Sequence, residues 1–250
     1  MRAACLITAA LSLLAHAEAQ PLPQPRVMLF FGLNVEADHM LFATDALRFF
    51  AEVGDKHNFR VEATSNWADL NDDNLKQYKL VVWLNGGPPN AQHEAFERYM
   101  ENGGAWLGFH VSGFISRWEW FKQFIGGASF GVNNWPPLPA KVIVDDTESP
   151  VTRGIPKTFV APINEWYSWR PSPRLDKSVH VLLTLDPSQY PLGIKSLITD
   201  EDPDVPVVWT NTRYKMLYMN MGHGDKIFTS PTQDKLIENG IVWLLGASTP

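Results

Sequence analysis

The chain has 250 residues and a formal net charge of −6, with no basic cluster. That balance makes it a poor nucleic-acid binder, so nucleic acid is not an expected partner. Its single cysteine, Cys5, falls in the N-terminal leader, which leaves the mature chain without disulfides, thiolate metal ligands or a cysteine nucleophile.

The leader has the layout of a secretory signal peptide over residues 1–19. Arg2 supplies a positive start, residues 6–15 are apolar, and Ala15-His16-Ala17 and Ala17-Glu18-Ala19 are small-x-small cleavage sites. Export to the periplasm or the extracellular space is the expectation. The apolar run is far shorter than the roughly 20 residues a membrane span requires, and no later segment comes closer. Residues 20–250 are expected to form one domain.

Residues 27–31 read as a strand ending at Gly32-Leu33-Asn34, and 40–53 as a helix closed by Gly54. A second strand is predicted at 60–63 and a polar helix at 69–78, with Asp69 as its N-cap. A third strand, 80–84, runs into Asn85-Gly86-Gly87. A helix at 90–101 and a strand at 105–109 lead to a sharp break at His110. The second half is predicted as a helix at 118–125, a loop at 126–139, strands at 141–144, 179–185, 205–210 and 216–221, and a closing helix at 231–245. Strand runs without alternating polarity, separated by helices, predict a doubly wound α/β fold: a mainly parallel sheet with helices on both faces. Ligands bind such sheets at the carboxyl ends of the strands, which singles out Asn34, Gly86, Gly87 and His110.

The stretch from Gly103 to Gly113 has the backbone plan of a nucleophile elbow, a buried strand ending in a turn of small residues. Its apex is His110, and an imidazole there suits proton transfer or metal ligation better than a covalent intermediate. His39 and His223 also fall just beyond strand ends, the latter between Gly222 and Gly224. His57, His93 and His180 are expected outside the site. In Asn164-Glu165-Trp166-Tyr167, a carboxylate stands beside aromatic rings that would disfavour its charge and tune it for acid/base work; Trp166 and Tyr167 would present ring faces to a ligand. Ser112 and Asn133 join the cleft by position. The glycine pairs match neither a P-loop nor a dinucleotide fingerprint.

These residues resemble the ThuA-like (trehalose-utilisation) family, a branch of the class I glutamine-amidotransferase-like fold. The likeness rests on Gly103-Gly104 through His110, Trp118 to Gly127, Pro150 to Pro156, Glu165-Trp166-Tyr167, Pro206 to Trp209 and Gly222-His223. It implies a flavodoxin-like sheet whose elbow has lost the amidotransferase cysteine, and a link to sugars and 3-keto glycosides. By position it makes His39, His110, Glu165 and His223 the site. One departure stands out: Gly131-Val132-Asn133-Asn134 replaces the segment where the family usually carries a histidine.

Three functions are open at this level. The first is an exported enzyme acting on a small carbohydrate by acid/base elimination and hydration. The second is a non-catalytic sugar-binding module. The third is a metal-dependent hydrolase whose divalent cation would be held by His39, His110, His223 and Glu165.

Overall fold

The structure, a computed structural model, describes residues 24–115, 117–188 and 204–246. The expected leader over 1–19 lies outside these residues. In chain order the elements are β1 (Arg26–Phe30), α1 (Ala37–His57), β2 (Arg60–Thr64), α2 (Asp72–Leu75), β3 (Leu80–Trp83), α3 (His93–Glu101), β4 (Ala105–Phe109), α4 (Glu119–Phe124), β5 (Ser129–Asn133), β6 (Leu138–Val144), β7 (Thr158–Asn164), β8 (Tyr167–Arg170), β9 (Val179–Leu185), β10 (Pro206–Asn211), β11 (Lys215–Met219) and α5 (Pro231–Leu245).

Among the described residues nine strands form one sheet in the order β2-β1-β3-β4-β11-β10-β9-β6-β7. The half from β2 to β11 is parallel throughout. From β10 outward every pairing is antiparallel. The doubly wound α/β fold is therefore present, with an antiparallel extension that the apolar strand runs did not distinguish from parallel ones. The β1 side chains show why both faces need cover: Val27 and Leu29 enter one core, with Phe42 of α1 and Leu236 of α5. Met28 and Phe30 enter the other, with Leu75, Phe96 and Phe121 of α2, α3 and α4. Each such fully buried apolar side chain contributes on the order of 2 kcal/mol. Among the described residues no helix is long and apolar enough to cross a membrane.

Several boundaries differ from the predicted ones for identifiable reasons. Gly54 does not close α1; the helix continues to His57, and Asn58 ends it in the left-handed conformation. Gly54 is instead a point of close approach, since a Cβ there would meet the Phe59 carbonyl oxygen at 2.9 Å. Asp69 is not an N-cap. Asn66 caps a single turn at Trp67–Asp69, and Asn71 caps the short α2. The predicted loop at 126–139 contains β5, which pairs with the unpredicted strand β8 in a separate two-stranded sheet. That ribbon and the β7–β8 turn carry Asn133, Glu165 and Tyr167.

Candidate active site

His110 follows β4 directly and takes φ 49°, a left-handed backbone that a non-glycine residue adopts only when its surroundings enforce it. The Tyr218 hydroxyl donates to its carbonyl at 2.8 Å. Gly222 packs against its far side, where a Cβ would stand 2.5 Å from the His110 Cβ. The ring is fully buried, and Nδ1 lies 2.8 Å from the Asn220 carbonyl. A carbonyl only accepts, so Nδ1 carries the proton and Nε2 presents its lone pair. Nε2 faces the Tyr167 hydroxyl and stands 3.4 Å from Glu165 Oε2.

His39 sits in the first turn of α1, and its carbonyl accepts from the Asn85 amide at 3.3 Å. Its buried Nε2 has no hydrogen-bond partner among the described residues. His223 follows β11 in a turn held by Asn164, whose Oδ1 accepts from the Gly222 and His223 N–H groups, each at 3.1 Å. Neither ring nitrogen of His223 has a hydrogen-bond partner among the described residues. The acidic oxygens near them are Glu165 Oε2, 3.6 Å from Nδ1, and Asp38 Oδ2, 3.1 Å from Nε2. The three imidazoles form a triangle with centroid separations of 5.2, 5.2 and 5.6 Å.

Glu165 reaches this triangle from the β7–β8 turn. The Asn133 amide donates to Oε1, and the Tyr167 hydroxyl donates to Oε2 at 3.0 Å. One ligand atom from each of His39, His110, Glu165 and His223 lies within 4.8 Å of all the others.

Burial, reinforced by the neighbouring His110 and His223, pushes the His39 imidazole down to about 4. Burial likewise lowers His110. For Glu165 burial opposes ionisation, but its contacts with His110, with His223 and with the Tyr167 hydroxyl outweigh it and hold the carboxyl below the usual range. The expectation of a Glu165 with disfavoured charge is thus corrected: its oxygens meet polar groups, the Asn133 amide and the Tyr167 hydroxyl, and not ring faces. Burial, then the Glu165 charge, raises the Tyr167 phenol, which stays protonated. The centre therefore favours neutral His39 and His110 imidazoles beside an ionised Glu165, the form in which such groups bind a divalent cation. Orphaned buried nitrogens converging on a carboxylate fit such an ion.

The other predicted residues divide. Asn133 and Tyr167 are at the centre. Trp166 is not a ligand surface: it is fully buried, and its indole N–H donates to the Leu138 carbonyl at 2.8 Å. Ser112 is buried against Gly108, and its hydroxyl meets no partner in the site. Gly87 serves packing, because a Cβ there would stand 2.3 Å from the Ile115 side chain. Gly86 is half-buried beside Trp67, and Asn34 is exposed. His57 and His180 pair with Glu238 and Asp146, and His93 stacks on Trp118 at 3.7 Å, all outside the centre.

Sequence reading missed the asparagines that hold the centre in place. Asn85, Asn164 and Asn220 each stand at a strand end, a position whose signal is visible in retrospect. It also missed Glu36 and Asp38, which form a more exposed acidic set with His223. A cavity of about 510 Å³ between α1 and α5, lined by Lys56, Arg153 and Lys235, lies apart from these residues.

The parallel half-sheet with its elbow defines a glutamine-amidotransferase-like fold, here with histidine at the apex. The glutaminase domain of CTP synthase from Trypanosoma brucei shares it, with a TM-score of 0.57 at 11% identity over 91% of this chain and 96% of that one. The chain belongs to the ThuA family, described as trehalose utilisation, whose model matches residues 26–244. A ThuA-like protein from Bacteroides uniformis is 42% identical, covering 90% of this chain and 94% of its own, with a TM-score of 0.84. Another, from Parabacteroides merdae, reaches 0.66 at 17% identity, over 91% of this chain and 92% of its own. No curated protein matches the chain.

Proposed function

We propose that this chain is an exported, metal-assisted enzyme acting on a sugar that carries a carbonyl, of the 3-keto glycoside type. The observation that carries the metal reading is the convergence of His110 Nε2 and Glu165 with buried nitrogens of His39 and His223 that have no hydrogen-bond partner among the described residues. The carbohydrate reading is supported by the family's description and by the half-exposed aromatic rings Phe114, Phe130 and Trp135 around the centre.

The three imidazoles would hold the cation, with Glu165 beside them. When bound, a divalent ion supplies Lewis acidity that polarises the C3 carbonyl and so acidifies the C2 proton. Glu165, ionised and steered by Asn133 and Tyr167, accepts that proton. The C2–H electrons form a C1–C2 double bond as the C1–O bond breaks, and the Tyr167 hydroxyl, kept protonated, gives its proton to the departing oxygen. Water then adds across the double bond: its oxygen bonds C1 as Tyr167 takes back a proton from it, and Glu165 returns its proton to C2, which completes a net hydrolysis.

The test is metal analysis of the purified mature protein, with calorimetric titration of zinc and manganese, beside turnover of methyl 3-keto-α-glucoside. Near-stoichiometric metal lost in His110→Ala and His223→Ala, with turnover lost in step, is the expected result. No bound metal and no turnover would overturn the reading.

A further inference from the structure

An imidazole that gives one ring nitrogen to a cation is set by what the other nitrogen meets, because that second contact fixes the tautomer and the direction of the lone pair. For His110 the second contact is the Asn220 carbonyl, 2.8 Å from Nδ1. His223 is only 2% exposed, and its ring lies between two carboxylates. Glu165 Oε2 is 3.6 Å from Nδ1, and Asp38 Oδ2 is 3.1 Å from Nε2.

The two carboxylates are not equivalent. Glu165 already accepts from the Asn133 amide and the Tyr167 hydroxyl, and one of its oxygens belongs to the set that converges with the three histidines. Asp38 approaches the other edge of the ring from the first turn of α1, where a carboxylate also stabilises the helix. The backbone fastens it to its target, since the Gly224 N–H donates to the Asp38 carbonyl at 3.0 Å. Oδ2 is at hydrogen-bond distance from Nε2 but off the line of its N–H. The Asp38 side chain is 42% exposed and has room for the turn that brings the oxygen on line.

We propose that Asp38 is a positioning residue for His223. Its carboxylate accepts the Nε2 proton, so the Nδ1 lone pair faces Glu165 and the cation position, and the adjacent negative charge makes that lone pair a stronger donor. Asp38 itself touches neither the cation nor the substrate. The inference rests on the reading of the four converging side chains as a cation site. Glu36 provides the contrast. It shares the exposed acidic set with Asp38 and His223 and carries the same charge, and its side chain makes no capping bond to α1.

The experiment titrates the intact mature protein with zinc in a calorimeter, comparing wild type, Asp38→Asn and Glu36→Gln, with the urea midpoint of each metal-free form reporting that it has folded. Asp38→Asn should weaken zinc binding by about 10–100-fold at an unchanged stoichiometry of one ion per chain, the scale on which partners of metal-bound histidines act. Glu36→Gln should change the affinity by less than about threefold, as befits an exposed charge screened by solvent. Long-range proton–nitrogen NMR of the metal-free wild type should find the His223 proton on Nε2 and none on Nδ1. Protonation at Nδ1, an Asp38→Asn affinity equal to wild type, or equal weakening by Asp38→Asn and Glu36→Gln would overturn the positioning role and leave the cation site standing. So would two ions per wild-type chain with one lost in Asp38→Asn, which would make Asp38 a ligand. A wild type that binds no zinc would overturn both.

Discussion

At the scale of single residues, His110 and Glu165 are each paired with a group that fixes them. The Asn220 carbonyl selects the His110 tautomer, and Asn133 turns one Glu165 oxygen away from the histidines. Glu165→Gln keeps the carbonyl oxygen but removes the proton acceptor. It should lower turnover by about 10²–10⁴-fold while the cation is retained, read by kinetics beside metal content. Gly222→Ala would drive a methyl into His110, 2.5 Å away, and should displace the imidazole. Loss of metal at near-normal secondary structure by circular dichroism is the expected outcome. His39 provides a pH signature. Its folded value of about 4 lies below the ordinary 6.5, so the unfolded chain binds a proton that the folded chain refuses. Stability is therefore full above about pH 6.5 and falls as the pH drops towards 4. Urea midpoints measured across that window should show the decline, and His39→Gln should flatten it.

At the scale of elements, the informative comparison is between α5 and the β5–β8 ribbon. The residues of α5 announce both of its ends. Ser230 caps it by accepting from the Gln233 N–H, Pro231 opens it, and Gly246 ends it at φ 76°. Its predicted span, 231–245, is the one observed. Ser230→Ala should cost about 1 kcal/mol in denaturant unfolding. Within the same helix, burial raises the Asp234 carboxyl to about 6, and Oδ1 lacks a partner. An acid raised in this way binds its proton more tightly when folded, so its charge destabilises the fold above the unfolded value near 3.8. Discounted for its partial exposure, relief of that strain by Asp234→Asn should stabilise the protein at pH 7 by roughly 1 kcal/mol. The β5–β8 ribbon has no comparable end signals. Its strands are five and four residues long, they carry Gly131 and a register shift, and they pair across a sequence gap filled by other elements. Glu165 owes its place to this ribbon, which is why the residue was identifiable and its surroundings were not.

At the scale of the whole molecule, a cation at the histidine triangle would tie α1, β4, the β7–β8 turn and the turn after β11 into one unit. Binding to the folded state alone adds stability by mass action, about 2.7 kcal/mol at a hundredfold excess over Kd. For a domain of this size that corresponds to a rise in Tm of roughly 5–10 °C. Calorimetry with and without zinc or manganese should show it, and His110→Ala should abolish it. The amino-acid sequence by itself determined the alternation of strands and helices in the first half, the elbow at His110, the family, and the four side chains His39, His110, Glu165 and His223. Those properties follow from local pattern: apolar period, turn residues and short motifs. Only the tertiary structure decided that the four side chains share one point, that Glu165 is ionised, that Trp166 and Ser112 are buried away from the site, and that the sheet turns antiparallel beyond β11. Each of these depends on contacts between residues far apart in the chain, and burial and charge at a site are properties of those contacts rather than of any residue alone.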